Sequence, residues 1–200
     1  MSNVEIMNNK DNNSKKIFWI ILLISLGIFY RMIPHPPNFS PLYSISVFSS
    51  FLPIEFQNKL NNNRFWKYFS FFIPLIILFL TDLILGFYKG MIFNYFAFIS
   101  FSVISYFTFV KLKKMSRVLL GLILSIFSAI YFFIISNFGV WLLSGMYSKD
   151  LTGLILCYVN AIPFLGNSIL SAIVFSLIIF YSYELVINLG GNKVKNVELN

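Results

Sequence analysis

Long apolar runs separated by short polar punctuation set the layout of this chain. Five of them approach or reach the roughly 20 residues that a helix needs to cross a bilayer. They are Ile17–Met32, Tyr68–Phe87, Met91–Val110, Val118–Phe138 and Ser168–Leu189. A sixth, Pro41–Phe56, is shorter and carries several serines and Pro53, which makes it a doubtful span when taken alone. Leu151–Phe164 is half-apolar and too short to cross. Its Leu151, Leu154, Ile155, Tyr158 and Ile162 recur at helical spacing, so it predicts a short outer helix ending at Pro163.

The basic residues decide the count. With the N-terminus in the cytoplasm and Pro41–Phe56 counted as a span, the inner segments hold Lys10, Lys15, Lys16, Lys59, Arg64, Lys67, Lys111, Lys113, Lys114, Arg117, Lys193 and Lys195. Only Arg31, Lys89 and Lys149 fall outside. That is 12 of the 15 basic residues on one side, the bias that orients helices during insertion. Dropping the short span reverses the later loops and destroys the bias. The expected fold is therefore an all-α bundle of six transmembrane helices over 17–189. Residues 1–16 are expected as a disordered cytoplasmic tail and 190–200 as a second cytoplasmic tail, in a bacterial inner membrane. No small-x-small site closes the first apolar run, so an uncleaved first helix is expected.

Composition agrees with a lipid solvent. The chain of 200 residues is 58% hydrophobic, 20% aromatic and only 11% charged, where a soluble domain runs near a quarter charged. The formal charge of +8 does not point to nucleic acid, because the basic residues flank apolar runs instead of gathering on one face. One cysteine, Cys157, and one histidine, His35, leave no material for a disulfide or a Cys/His metal cluster. No P-loop, dinucleotide fingerprint, paired carboxylates or Ser-His-Asp set can be assembled, so neither enzyme activity nor a cofactor is expected.

On this topology the unusual polar residues gather on the outer side. The first outer segment, Arg31-Met32-Ile33-Pro34-His35-Pro36-Pro37-Asn38-Phe39-Ser40-Pro41, holds four prolines in eight residues. Fixed φ angles and missing donors make it a stiff, extended element that presents Arg31, His35 and Asn38 at low entropic cost. Asp82 lies in an apolar run, where an unpaired carboxylate is costly, so it is expected to face inward and pair with Arg31 or with Lys89. Asn137 sits near the end of its run, followed by Gly139, which can end the helix and bring the backbone close to a neighbour, and by Trp141, an interfacial anchor or a ligand contact. Tyr147, Asn160 and Asn167 follow in and after the last outer loop. Gly121, Ser125 and Ala129 recur every fourth residue, a spacing that lets helices approach closely.

The Arg31–Pro41 motif, Thr81-Asp82, Asn137-Phe138-Gly139-Val140-Trp141, Gly153-Leu154 with Cys157-Tyr158, and Pro163-Phe164 with Asn167 together resemble a family of bacterial integral membrane proteins of unknown function. That family's layout is similar to the substrate-binding S-components of energy-coupling factor (ECF) transporters. The resemblance implies a six-helix protein that binds a small molecule from outside under a lid of outer loops. It also implies partners, a transmembrane coupling subunit and two ATPases. Where S-components commonly carry Ala-x-x-x-Ala on the first helix, this chain offers only Ser25 and Gly27.

The expected function is uptake of a vitamin-like or heterocyclic compound. Arg31 and Asp82 would orient polar groups, and His35 is a further hydrogen-bonding group of the outer segment. Asn38, Asn137, Asn160 and Asn167 would hydrogen-bond, and Trp141 and Tyr147 would stack. The alternative is a structural or assembly membrane protein in which the same residues only lock the bundle.

Overall fold

The computed structural model describes residues 3–55 and 68–197, with side chains over 18–54 and 68–186. Six α-helices and no strands occur among them: α1 (Asn3–Met32), α2 (Leu42–Glu55), α3 (Ile73–Leu85), α4 (Met91–Lys111), α5 (Arg117–Leu143) and α6 (Leu151–Val197). Three are long and apolar enough to cross a membrane, over Met91–Lys111, Arg117–Leu143 and Leu151–Val186. Shorter apolar helices occupy Phe18–Met32, Leu42–Ile54 and Ser70–Leu85. The segment holding Lys59, Arg64 and Lys67, expected on the inner side, lies outside the described residues.

The weakest run in the sequence forms the centre of the fold. α2 packs against every other helix, and Leu42 through Pro53 are all buried. Its serines do not oppose this. Ser46, Ser49 and Ser50 donate to the carbonyls of Tyr43, Ser46 and Val47, three residues back, so each hydroxyl is satisfied within its own helix. Being small, they let neighbours close in. Ser102 of α4 donates to the Ser46 carbonyl, and the Ser46 and Ser128 hydroxyls lie 3.3 Å apart. Ser44 reaches the Ala172 carbonyl of α6 at 3.1 Å. Around this spine, Trp19, Phe48, Phe51, Phe180 and Tyr183 form an edge-to-face aromatic cluster.

Small residues set the helix spacing, as the stripe in α5 predicts. Gly121, Ser125 and Ala129 are all buried, and a Cβ on Gly121 would stand 2.6 Å from the Phe180 ring of α6. On the outward faces the side chains are apolar and uncovered, among them Ile84, Ile92, Phe107 and Leu151, each more than 60% exposed. That surface suits lipid and would be costly in water.

Residues 3–16 continue α1, and the segment from 190 continues α6 to Val197; extending an existing helix adds one hydrogen bond per residue fixed and needs no new nucleus. Three expectations change. The apolar run from Tyr68 divides into a 3-10 turn at Ser70–Phe72 and α3, because Pro74 enters at the first turn of α3 and has no N–H to continue the ladder backward. Gly139 lies inside α5, which runs on to Leu143. The close approach expected of it does occur, with the Phe93 ring only 2.5 Å from where a Cβ would stand. Finally, Leu151–Phe164 is no separate helix. It is the first part of α6, with Pro163 inside. Flanking packing holds the helix together there: Tyr158 donates to the Ile134 carbonyl at 2.7 Å and Ser168 to the Phe164 carbonyl at 3.0 Å.

Candidate functional site: a cavity at the loop end of the bundle

The C-terminal end of α5 and the N-terminal end of α6 build the site. At 27 residues α5 is about 40 Å long, more than the ~30 Å of a hydrocarbon core. Its last turns run antiparallel to the first turns of α6, which start from a defined cap. Asp150 accepts from the Gly153 N–H at 2.7 Å and from the Ser148 hydroxyl at 2.8 Å. These two donors hold its carboxyl below the usual aspartate range. A side chain at position 153 would collide with the Ser148 carbonyl at 2.1 Å, so only glycine allows this turn.

The proline-rich segment packs across this end. It is extended apart from a turn in which the Phe39 N–H bonds the Pro36 carbonyl at 3.0 Å. Asn38 takes φ 60, a left-handed conformation that asparagine tolerates better than most residues. Tyr43, fully buried, donates to the Asn38 carbonyl at 3.2 Å and lies 3.1 Å from the Ser168 hydroxyl, and Asn167 donates to the Pro37 carbonyl at 3.0 Å. The Asn38 backbone is thereby fixed from both sides while its side chain stays exposed.

Between loop and helices lies a cavity of about 360 Å³. Asn38, Asn137, Tyr147 and Asn160 line it together with apolar groups that include Val140, Met146 and Phe164. A second lobe of about 210 Å³ is lined by Tyr88, Lys89, Asn94 and Ser136 and shares Asn38, Asn137 and Val140 with the first. Asn137 donates to the Phe133 carbonyl of its own helix at 2.8 Å, which orients the amide, and Asn160 approaches the Tyr147 hydroxyl at 3.4 Å. The arrangement offers amides, a phenol and apolar walls, a set suited to holding a small molecule.

Four of the nine residues singled out by sequence meet in that first lobe. The other five do not line it. Arg31 donates to Asp82 Oδ1 at 2.8 Å and Tyr95 to Asp82 Oδ2 at 2.8 Å, so both oxygens of the buried carboxylate are occupied and α1, α3 and α4 are tied together. His35 lies 2.8 Å from the Ile33 carbonyl and packs its ring on Tyr30. Trp141 donates to the Ser148 carbonyl at 2.9 Å, and the Lys149 ammonium sits over its ring and bonds its carbonyl, which makes it a brace for the α5–α6 loop. Asn167 is spent on Pro37. Tyr88, Asn94, Ser136 and Met146 were not anticipated. Their only signal is proximity to the glycine-bounded loop at Gly86 and Gly90, with φ 94 and 90, and to the loop after α5. Among the described residues no three His, Cys, Asp or Glu side chains stand close enough to hold a metal ion.

The chain belongs to a family of unknown function, DUF6580, which it matches over residues 11–195. No curated protein and no solved structure matches it.

Proposed function

We propose that this chain is the substrate-binding subunit of an uptake system for a small vitamin-like or heterocyclic molecule, an outward-open cavity protein of the bacterial inner membrane. On this reading six helices span the bilayer with both termini in the cytoplasm, consistent with the distribution of 12 of 15 basic residues. The observation that carries it is the convergence of Asn38, Asn137, Tyr147 and Asn160, from two loops and two helices, on one cavity of about 360 Å³, within the size range of small-molecule sites. The resemblance to ECF S-components supports the same class and supplies the partners, a membrane coupling subunit and two ATPases that provide the energy.

The rival reading, a structural or assembly protein, draws support from Arg31, Asp82, Trp141 and Asn167, all engaged in internal bonds. Native mass spectrometry of the full chain in nanodiscs separates the two. A retained metabolite that is lost in Asn137→Ala and Asn160→Ala, at unchanged thermal stability, supports binding. Variants that lose stability and never carry a bound species support the structural role.

A further inference from the structure

The two lobes differ in charge. The larger has amide, phenol and apolar walls, whereas the smaller contains one formal charge, Lys89. The sequence offers Lys89 as an alternative partner for Asp82. In the structure Asp82 is saturated by Arg31 and Tyr95, which leaves Lys89 without a carboxylate partner among the described residues. No Asp or Glu lines either lobe. Asn94 donates to Tyr88 and so fixes the phenol beside the lysine. The N-terminus of α4, at Gly90 and without a side-chain cap, adds a partial positive charge of the same sign.

We propose that the ligand is an anion with a flat or apolar body, its acidic group (carboxylate or phosphate) held by Lys89 in the smaller lobe and its body in the larger lobe between Tyr147, Phe164 and Val140. Asn38 and Asn137, common to both lobes, stand at the junction and hydrogen-bond the polar part linking the two. This assignment rests on the binding-subunit reading above and adds the ligand's charge. With Asp82 neutralised by Arg31, Lys89 is the one charge among the described residues that line either lobe, and it favours an anion over a neutral isostere through a charge-assisted hydrogen bond and through a field that salt screens.

The test uses the full chain in nanodiscs of neutral lipid and two probes, indole-3-propionate and its uncharged amide, with affinities read by ligand-observed NMR. The acid is expected to bind at least fivefold more tightly than the amide. Lys89→Gln abolishes that preference, and Lys89→Glu reverses it. Raising salt weakens the acid only. Equal binding of acid and amide to the unaltered protein, or an acid affinity indifferent to Lys89→Gln, overturns the charge assignment and leaves the cavity as a binding site. Failure of both probes to bind, or binding insensitive to Asn137→Ala, overturns the site reading and the charge assignment together.

Discussion

The Asn167 amide donates to the Pro37 carbonyl across 3.0 Å, joining two segments 130 residues apart and pinning the proline-rich loop to α6. Prolines stiffen that loop but cannot anchor it, because they remove its donors. The anchor has to come from outside, here from Asn167 and Tyr43. Asn167→Ala is expected to cost about 1 kcal/mol, the net worth of one hydrogen bond. Amide exchange at Asn38, Phe39 and Ser40 should accelerate while the core of α2 stays protected. Unchanged exchange in the loop would show that Tyr43 alone suffices.

Asp82 is 1% exposed and its partner Arg31 17%, so the pair is mostly removed from solvent. Asp82→Ala leaves a guanidinium without its acceptor and is expected to destabilise by about 3 kcal/mol, less than a fully buried pair because Arg31 retains some access to solvent. Adding Arg31→Met to Asp82→Ala should recover most of the loss, since the orphaned charge is then gone. Thermal unfolding in nanodiscs reads both. A double variant no more stable than Asp82→Ala alone would refute the pairing.

Gly139 meets the Phe93 ring at the level of the cavity. Gly139→Ala forces the ring to move and is expected to cost about 1–3 kcal/mol, the usual penalty of overpacking. Pairing it with Phe93→Leu should restore part of that stability. An unperturbed Gly139→Ala would mean that α4 and α5 are not so closely packed.

Acid should loosen α6 from its N-terminal end. The Asp150 carboxyl is held below its ordinary value by the Gly153 N–H and the Ser148 hydroxyl. A depressed folded-state value means that its contribution is complete above the unfolded-state value, near 4, and fades as pH falls through the folded-state one. Amide protection over residues 152–156, corrected for intrinsic exchange, should hold at pH 5 and decline only below about 4. Asp150→Asn should remove that step.

The sequence makes the helices legible because a long apolar run can satisfy its backbone N–H and C=O groups without water only as a helix. The pairing of Asp82 with Arg31 is legible for the same reason, since a carboxylate there needs a partner. What escapes is tertiary. The serines of α2 look like a weakness until Ser46, Ser49 and Ser50 are seen bonded within their own helix and Ser44 to the Ala172 carbonyl of α6. Gly139 and Pro163 are the residues that usually end helices, yet here contacts from Phe93, Tyr158 and Ser168 surround a continuous backbone. Asn38, Asn137, Tyr147 and Asn160 are recognisable as candidates one by one. Their meeting in one cavity, and the freeing of Lys89 by Tyr95, depend on helix positions that no local pattern encodes.

Sidedness of the cavity is the most direct test of the whole account. Met146 lines it and is 69% exposed, while the native Cys157 is buried. In a Cys157→Ser background, Met146→Cys is predicted to react with a membrane-impermeant maleimide in intact cells, and Lys113→Cys only after permeabilisation. Labelling of Lys113→Cys in intact cells, with Met146→Cys silent until the membrane is opened, would put the cavity in the cytoplasm and contradict an uptake role.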